Sequence, residues 1–112
     1  MQTELKQSLA AAIAAFNSNR RTILEDAFKS DDPNLLTQLE EEYDTMRSAY
    51  MEILRRQLDQ NHHLYESLIT SAITQTEKLH KSIRQLNNVN SILQLITQTI
   101  NTLGRVLITL GI

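Results

Sequence analysis

Apolar residues recur at every seventh position through the second half of this chain. The repeat comprises Leu58, Tyr65, Ala72, Leu79, Leu86, Leu93, Ile100 and Leu107. A companion row three residues further on is polar in its middle and apolar at its end, where it reads Val89, Ile96, Leu103 and Leu110. A seven-residue apolar repeat is the signature of α-helices that pack side by side. The sequence therefore predicts an all-α fold, either a helical bundle or a coiled coil.

The composition fits one helical domain and limits the functions to consider. The 112 residues include one proline, two glycines and 4% aromatic residues, which is too little for a turn-rich β fold. A net charge of −2 is too balanced to attract nucleic acid or an anionic membrane strongly. The absence of cysteine from the sequence excludes disulfides, thiolate catalysis and cysteine-ligated zinc. We expect a cytoplasmic protein of a single domain, without a cofactor.

One turn can be placed from local sequence, and it separates the first two helices. Residues 1–30 are rich in alanine, the best helix former. Their apolar residues fall near one helix face and end with Ile23, Leu24, Ala27 and Phe28. Asp32 is placed to cap the next helix, and Pro33 suits its first position, where a missing N–H costs nothing. We predict a first helix over 1–30 and a second over 33–60 that folds back antiparallel on it.

The sequence alone does not decide whether the helix is interrupted at two further positions. The apolar row slips by one residue at Leu58, beside the polar stretch 59–63. This slip favours a break at residues 60–63, although a straight helix also drifts against a seven-residue repeat. Asn87–Ser91 is the second candidate, because asparagine favours turns and Ser91 has capping-box spacing to Gln94.

The two outcomes predict different molecules. If both stretches break, a third helix over 62–87 and a fourth over 90–110 complete an up-and-down four-helix bundle. If neither breaks, residues 34–103 form one helix of about 105 Å at 1.5 Å per residue. A single chain cannot bury such a helix, so this second case requires a partner chain.

The last segment, Ile92–Ile112, is the most apolar part of the chain. Arg105 is its only charged residue, and aliphatic side chains cover more than half of the helix circumference. We expect the segment in the core or in an oligomer interface, because apolar patches of this size mark contacts. A membrane-peripheral helix is the alternative, whereas Gln98, Asn101 and Arg105 make a transmembrane span too costly. The predicted partner interface comprises Leu79, Leu86, Leu93, Ile96, Ile100, Leu103, Leu107 and Leu110.

Several carboxylates and histidines share the spacing of metal ligands. Glu77 and His80 stand three residues apart, as in the Glu-x-x-His motif of di-iron bundles. Both flank the apolar rows, so we interpret them as a solvent-exposed helix flank. The candidates for a surface metal site are Asp59, His62, His63 and Glu66, for which a polar hinge is the simpler interpretation. A metal- or ligand-binding bundle is therefore the alternative function.

The sequence contains no recognisable catalytic motif. It has no Gly-rich phosphate loop and no nucleophile elbow. The basic doublets Arg20–Arg21 and Arg55–Arg56 lie among carboxylates and predict surface charge rather than a nucleic-acid contact. We predict a non-enzymatic helical interaction protein, such as an adaptor, a small chaperone or an assembly subunit. Its partners would be further copies of itself, as a homodimer or larger, and another helical protein.

Overall fold

The computed structural model describes residues 2–55 and 63–109, with side chains for 4–55 and 66–108. All regular secondary structure in these ranges is helical. The five described helices are α1 (Gln2–Ser18), α2 (Arg20–Phe28), α3 (Leu35–Arg55), α4 (His63–Arg84) and α5 (Val89–Thr109). The predicted all-α class is therefore confirmed.

The predicted first helix is divided in two, because the chain kinks at Asn19. The backbone of Asn19 leaves helical geometry, with φ −108° and ψ 9°. Its side-chain Nδ2 donates to the carbonyl oxygen of Ala15 at 2.9 Å, and its backbone N–H donates to the same oxygen at 3.1 Å. A side chain that inserts into the helix ladder is a known cause of kinks. The ladder resumes at once, since the Ile23 N–H donates to the Asn19 carbonyl at 3.0 Å.

The turn between α2 and α3 lies where it was predicted, but the predicted cap is wrong: Asn34, not Asp32, directly precedes the first helical residue, and Pro33 lies before the helix. The Asp32 carboxylate accepts a hydrogen bond from the backbone N–H of Asn34 at 2.9 Å. The Asp32 carbonyl accepts another from the N–H of Leu35 at 3.3 Å. Because Pro33 and Asn34 form the turn itself, α3 begins at Leu35, two residues later than predicted.

The chain also breaks between α4 and α5, at the second candidate position. The N–H of Asn87 bonds the Ser82 carbonyl at 3.1 Å, and the N–H of Leu86 bonds the Ile83 carbonyl at 3.0 Å. These two bonds form a Schellman motif, which ends a helix by placing one residue in the left-handed region. That residue is Leu86, with φ 49°. A position that glycine normally takes is therefore occupied by leucine.

The start of α5 is capped by Asn88. Its side-chain oxygen accepts a hydrogen bond from the backbone N–H of Asn90 at 2.8 Å, and its carbonyl accepts one from Ile92 at 3.1 Å. This is the ordinary N-cap geometry. The capping box considered at Ser91 and Gln94 is wrong, because the helix has already begun at Val89.

The predicted break at residues 60–63 lies almost entirely outside the described residues. A single helix over 34–103 is nevertheless wrong, since α4 and α5 are separate helices. The molecule measures 48 × 24 × 20 Å, so it cannot contain a rod of about 105 Å.

The helices pack as a bundle of two helical hairpins. α1 contacts α4, α4 contacts α5, α5 contacts α3, and α3 contacts α1 and α2. Within the described ranges, α3 does not contact α4, and α1 does not contact α5, so these pairs lie diagonally across the bundle. One hydrogen bond crosses each hairpin at similar distances from its loop, as in antiparallel pairs. These bonds join Tyr43 to Asn17 at 2.8 Å and Gln75 to Gln98 at 3.1 Å.

The core of the bundle is mostly aliphatic, and every helix contributes to it. The largest fully buried side chains include Phe16, Leu5, Leu9, Ile23, Leu39, Met46, Leu79 and Ile83. The apolar stripe of α5 lies in the same core, with at most 1% of Ile92, Ile96, Leu103 and Val106 exposed. Burying a side chain of this size contributes about 1.5–3 kcal/mol. The last segment thus takes the core position, one of the two places expected for it.

Candidate interaction surface

A small number of large apolar side chains stay exposed on the described part of the bundle. Phe28 is 78% exposed and Ile108 is 76% exposed, whereas the others are between 41% and 46% exposed, namely Met51, Leu54 and Leu86. Single exposed apolar residues are normal on protein surfaces. Phe28 also lines a groove on this surface.

The groove lies between α2 and α3, next to the turn that joins them. It is a shallow depression of about 340 Å³ that is widely open to solvent, and its exposed lining is mostly apolar by area although four of its seven lining residues are charged. Leu24 and Leu36 are half-buried at its base and pack against the core. Phe28 borders it at the end of α2. We call this surface the Phe28 groove, defined by Leu24, Phe28 and Leu36.

The exposure of Phe28 corrects the sequence prediction, which placed Phe28 near the buried face of the first helix. In α2 the core positions belong to Ile23 and Ala27, both 1% exposed and four residues apart. Phe28 follows Ala27 directly, so it points about 100° away around the helix. The backbone leaves helical geometry at Asn19, before α2 begins, and heptad spacing carries no signal for that change.

Charged residues of both signs surround the Phe28 groove. Arg21 Nε and Glu25 Oε1 are 3.1 Å apart on the α2 side, and both side chains are largely exposed. An exposed pair of this kind adds little stability. Lys29 lies at the end nearest the turn, and Glu40 lies on α3, further along the groove. The charged side chains that line the groove are therefore two cations and two anions, Arg21, Lys29, Glu25 and Glu40.

An aromatic stack holds α1 and α3 together beside the kink. The rings of Phe16 and Tyr43 are 4.4 Å apart between centroids and nearly parallel, at 15°. The Tyr43 hydroxyl donates to Asn17 Oδ1 at 2.8 Å. The Arg20 guanidinium lies over both rings, 5.9 Å from Phe16 and 5.4 Å from Tyr43, which is cation–π distance. These contacts fix the start of α2 relative to α3, and so the two sides of the groove.

The predicted partner interface along α4 and α5 is divided between core and surface. Three of its residues are buried inside the chain: Leu79, Ile96 and Leu103. Three are half-buried and pack against the core: Leu93, Ile100 and Leu107. Leu86 is 46% exposed, and Leu110 lies outside the described residues. The three buried residues would reach a partner only if the bundle opened, so the chain itself covers much of the apolar surface expected to associate.

The candidate metal ligands are only partly described. Asp59 and His62 lie outside the described residues, as does the side chain of His63, and Glu66 is exposed. Glu77 and His80 line a cleft of about 350 Å³ between α1 and α4, together with Glu4 and others. Across residues 2–55 and 63–109, no group of three histidines and carboxylates is placed to hold a metal ion.

Comparisons with known proteins add no family assignment. No protein-family model, no curated protein and no solved structure matches the chain. Among the helices that the structure describes, none has both the length and the apolar character needed to cross a membrane. The features of this chain that bear on its function are therefore those on the surface of the bundle.

Proposed function

We propose that this chain is a non-enzymatic helical interaction protein, an adaptor, small chaperone or assembly subunit, that forms a homodimer or larger oligomer and also engages another helical protein. The observation that supports this proposal is Phe28, 78% exposed at the edge of an apolar groove. An exposed phenylalanine forgoes the 1.5–3 kcal/mol that its burial would contribute. A partner that covers the ring would gain that contribution.

The proposal moves the main contact away from the C-terminal helix. Much of the apolar face of α5 is committed to the core, so α5 can offer only half-buried residues such as Leu93 and Ile100. The Phe28 groove offers a large side chain and a recess together. Aromatic side chains, phenylalanine included, are enriched in the buried centres of protein interfaces.

Multi-angle light scattering across a concentration series tests the self-association part of this proposal. The chain has a mass of 12.8 kDa. We expect the measured mass to rise toward at least twice that value between about 1 µM and about 1 mM, where weak to moderate dimers form. A mass of one chain at every concentration would contradict the proposed homo-oligomer.

A further inference from the structure

We infer that two copies of this chain form a dimer by exchanging α5, so that α5 of each copy takes the place of α5 in the bundle of the other copy. In this exchanged dimer the turn between α4 and α5 opens, and the two helices join into one. The inference rests on the proposed function, because it names the way in which the homo-oligomer forms. Self-association by this route uses the core face of α5, whereas the Phe28 groove stays free for another helical protein.

The contact surface of the exchanged dimer is already present within one chain. α5 packs on α4 and α3 and also touches α2. Its four fully buried aliphatic residues are at most 1% exposed, namely Ile92, Ile96, Leu103 and Val106. The same helix from a second copy fits the same place, because it has the same sequence. Exchange of an identical element is a recognised route to dimers, since the contacts of the single chain are kept between chains.

The turn that acts as the hinge is short and strained. Only residues 85–88 separate the end of α4 from the start of α5. Leu86 lies in the left-handed region, with φ 49°, a conformation that residues with a branched side chain rarely adopt. None of the four residues is glycine or proline, so straightening the turn into a helix is sterically allowed and relieves Leu86. A short hinge under strain favours exchange over closure within one chain.

Leu86 also interrupts the burial of the heptad repeat. The repeat continues through the turn from Leu79 to Leu93, and its companion row continues from Ser82 to Val89. Among the members of both rows whose side chains the structure describes, Leu86 is the only exposed one, at 46%. The others are buried or half-buried on both sides of the turn. The heptad pattern is therefore satisfied everywhere except at the residue where the single chain turns back.

The two-fold axis of the exchanged dimer passes beside Leu86. Within one chain Gln75 of α4 faces Gln98 of α5, with Nε2 donating to Oε1 at 3.1 Å. Exchange keeps this pairing between copies, so the joined helices run antiparallel and meet the axis midway between the paired positions, at residues 86 and 87. Leu86 of one copy then lies next to Leu86 of the other. The side chain that is exposed in the single chain thus gains an apolar contact.

Cross-linking of the double variant Gln75→Cys/Gln98→Cys distinguishes exchange from other dimers. The unmodified chain has no cysteine, so only the two introduced thiols react. Because α5 must leave its place before exchange, the variant is refolded from urea at about 1 mM and then treated with a short bis-maleimide. The exchanged dimer links two chains, and a denaturing gel shows twice 12.8 kDa. A dimer that leaves α5 in place links these positions only within each chain.

Gln75→Cys alone is the matched control for this experiment. In the exchanged dimer the two residues at position 75 lie about 35 Å apart along the joined helices, since 23 residue positions separate them at 1.5 Å each. The single variant should therefore give no linked chains. Linked chains in the single variant would show unspecific contact and overturn this interpretation of the double variant.

Leu86→Gly should suppress the exchange, and Leu86→Ala provides its control. Glycine relieves the left-handed conformation in the single chain and weakens the joined helix, so both effects favour the monomer. Each dimer contains two such positions, and we expect the Kd of Leu86→Gly to exceed that of Leu86→Ala about a hundredfold in sedimentation equilibrium. Both variants lose the same side chain, so their difference reports the backbone at the hinge. Equal Kd values would overturn the inference.

The outcomes separate this inference from the proposed function. If light scattering shows a dimer and the double cysteine variant links only within chains, exchange fails, and the proposed homo-oligomer stands with another surface. If the refolded chain is a monomer at every concentration, both fail. Linked pairs of chains support the exchange, together with a maximum dimension of at least about 70 Å in solution scattering, the length of one helix over 63–109. The single chain measures only 48 Å in its longest direction.

Discussion

Gly104 lowers the stability of α5, and no close contact in the described structure requires a glycine at this position. It lies within α5, where glycine is about 1 kcal/mol less favourable than alanine. A Cβ built at this position would meet no atom within 4 Å. We therefore expect Gly104→Ala to raise the free energy of unfolding by about 1 kcal/mol and the melting temperature by about 4–8 °C, measured by circular dichroism.

Ala14→Gly provides the control with the opposite sign. Ala14 is exposed within α1, so this change should lower the free energy of unfolding by about 1 kcal/mol through helix propensity alone. A lower free energy of unfolding in Gly104→Ala would contradict the finding that the space around the Gly104 Cβ is free. A stable Gly104→Ala monomer with a weakened dimer would instead show that a second copy packs closely on α5.

At the scale of elements, the turn between α4 and α5 has a strained residue at its centre. Leu86 adopts φ 49°, which costs a residue with a Cβ about 1 kcal/mol relative to glycine. We expect Leu86→Gly to be more stable than Leu86→Ala by about 1 kcal/mol in urea denaturation, because only glycine removes the strain. Both variants lose the same half-exposed side chain, so their difference isolates the backbone. Equal stabilities would mean that the turn relaxes to another conformation.

The helix ends were predictable where their cause is local. Asp32 accepts a turn hydrogen bond from the backbone N–H of Asn34, and Asn88 accepts a capping hydrogen bond from that of Asn90, each two positions away. The Asp-Pro pattern therefore predicted the first turn, whereas the asparagines of Asn87–Ser91 marked the second only as a candidate break. Ser91 was considered as part of a capping box because its spacing to Gln94 is also favourable, and only the start of the helix at Val89 excludes it.

The candidate surface was not predictable, because its causes are distant in sequence. Phe28 has the spacing of a core residue, but Ile23 and Ala27 take the core positions of α2 and Phe28 is exposed. A heptad pattern reports which residues are apolar at helical spacing, but not which of two neighbouring residues faces the core. The same limit applies to Leu79 and Ile96, because an apolar residue at heptad spacing can be buried either inside its own chain or against a partner chain.

At the scale of the whole molecule, α5 connects the two hairpins. It contacts α4 in its own hairpin and α2 and α3 in the other. Its four fully buried aliphatic residues, Ile92, Ile96, Leu103 and Val106, together contribute on the order of 6–12 kcal/mol. The whole stability of an ordinary domain is only about 5–15 kcal/mol. The bundle should therefore not remain folded without α5.

A chain that ends at Asn88 tests this conclusion. We expect it to lose its cooperative thermal transition and to bind an apolar dye, because the faces of α3 and α4 that pack on α5 become exposed. Adding the peptide 89–112 in trans should restore helicity and displace the dye. If the shortened chain instead melts cooperatively as a compact monomer, then α5 is an appended interaction helix rather than part of the core. That result would return the partner surface to the residues that the heptad repeat first indicated.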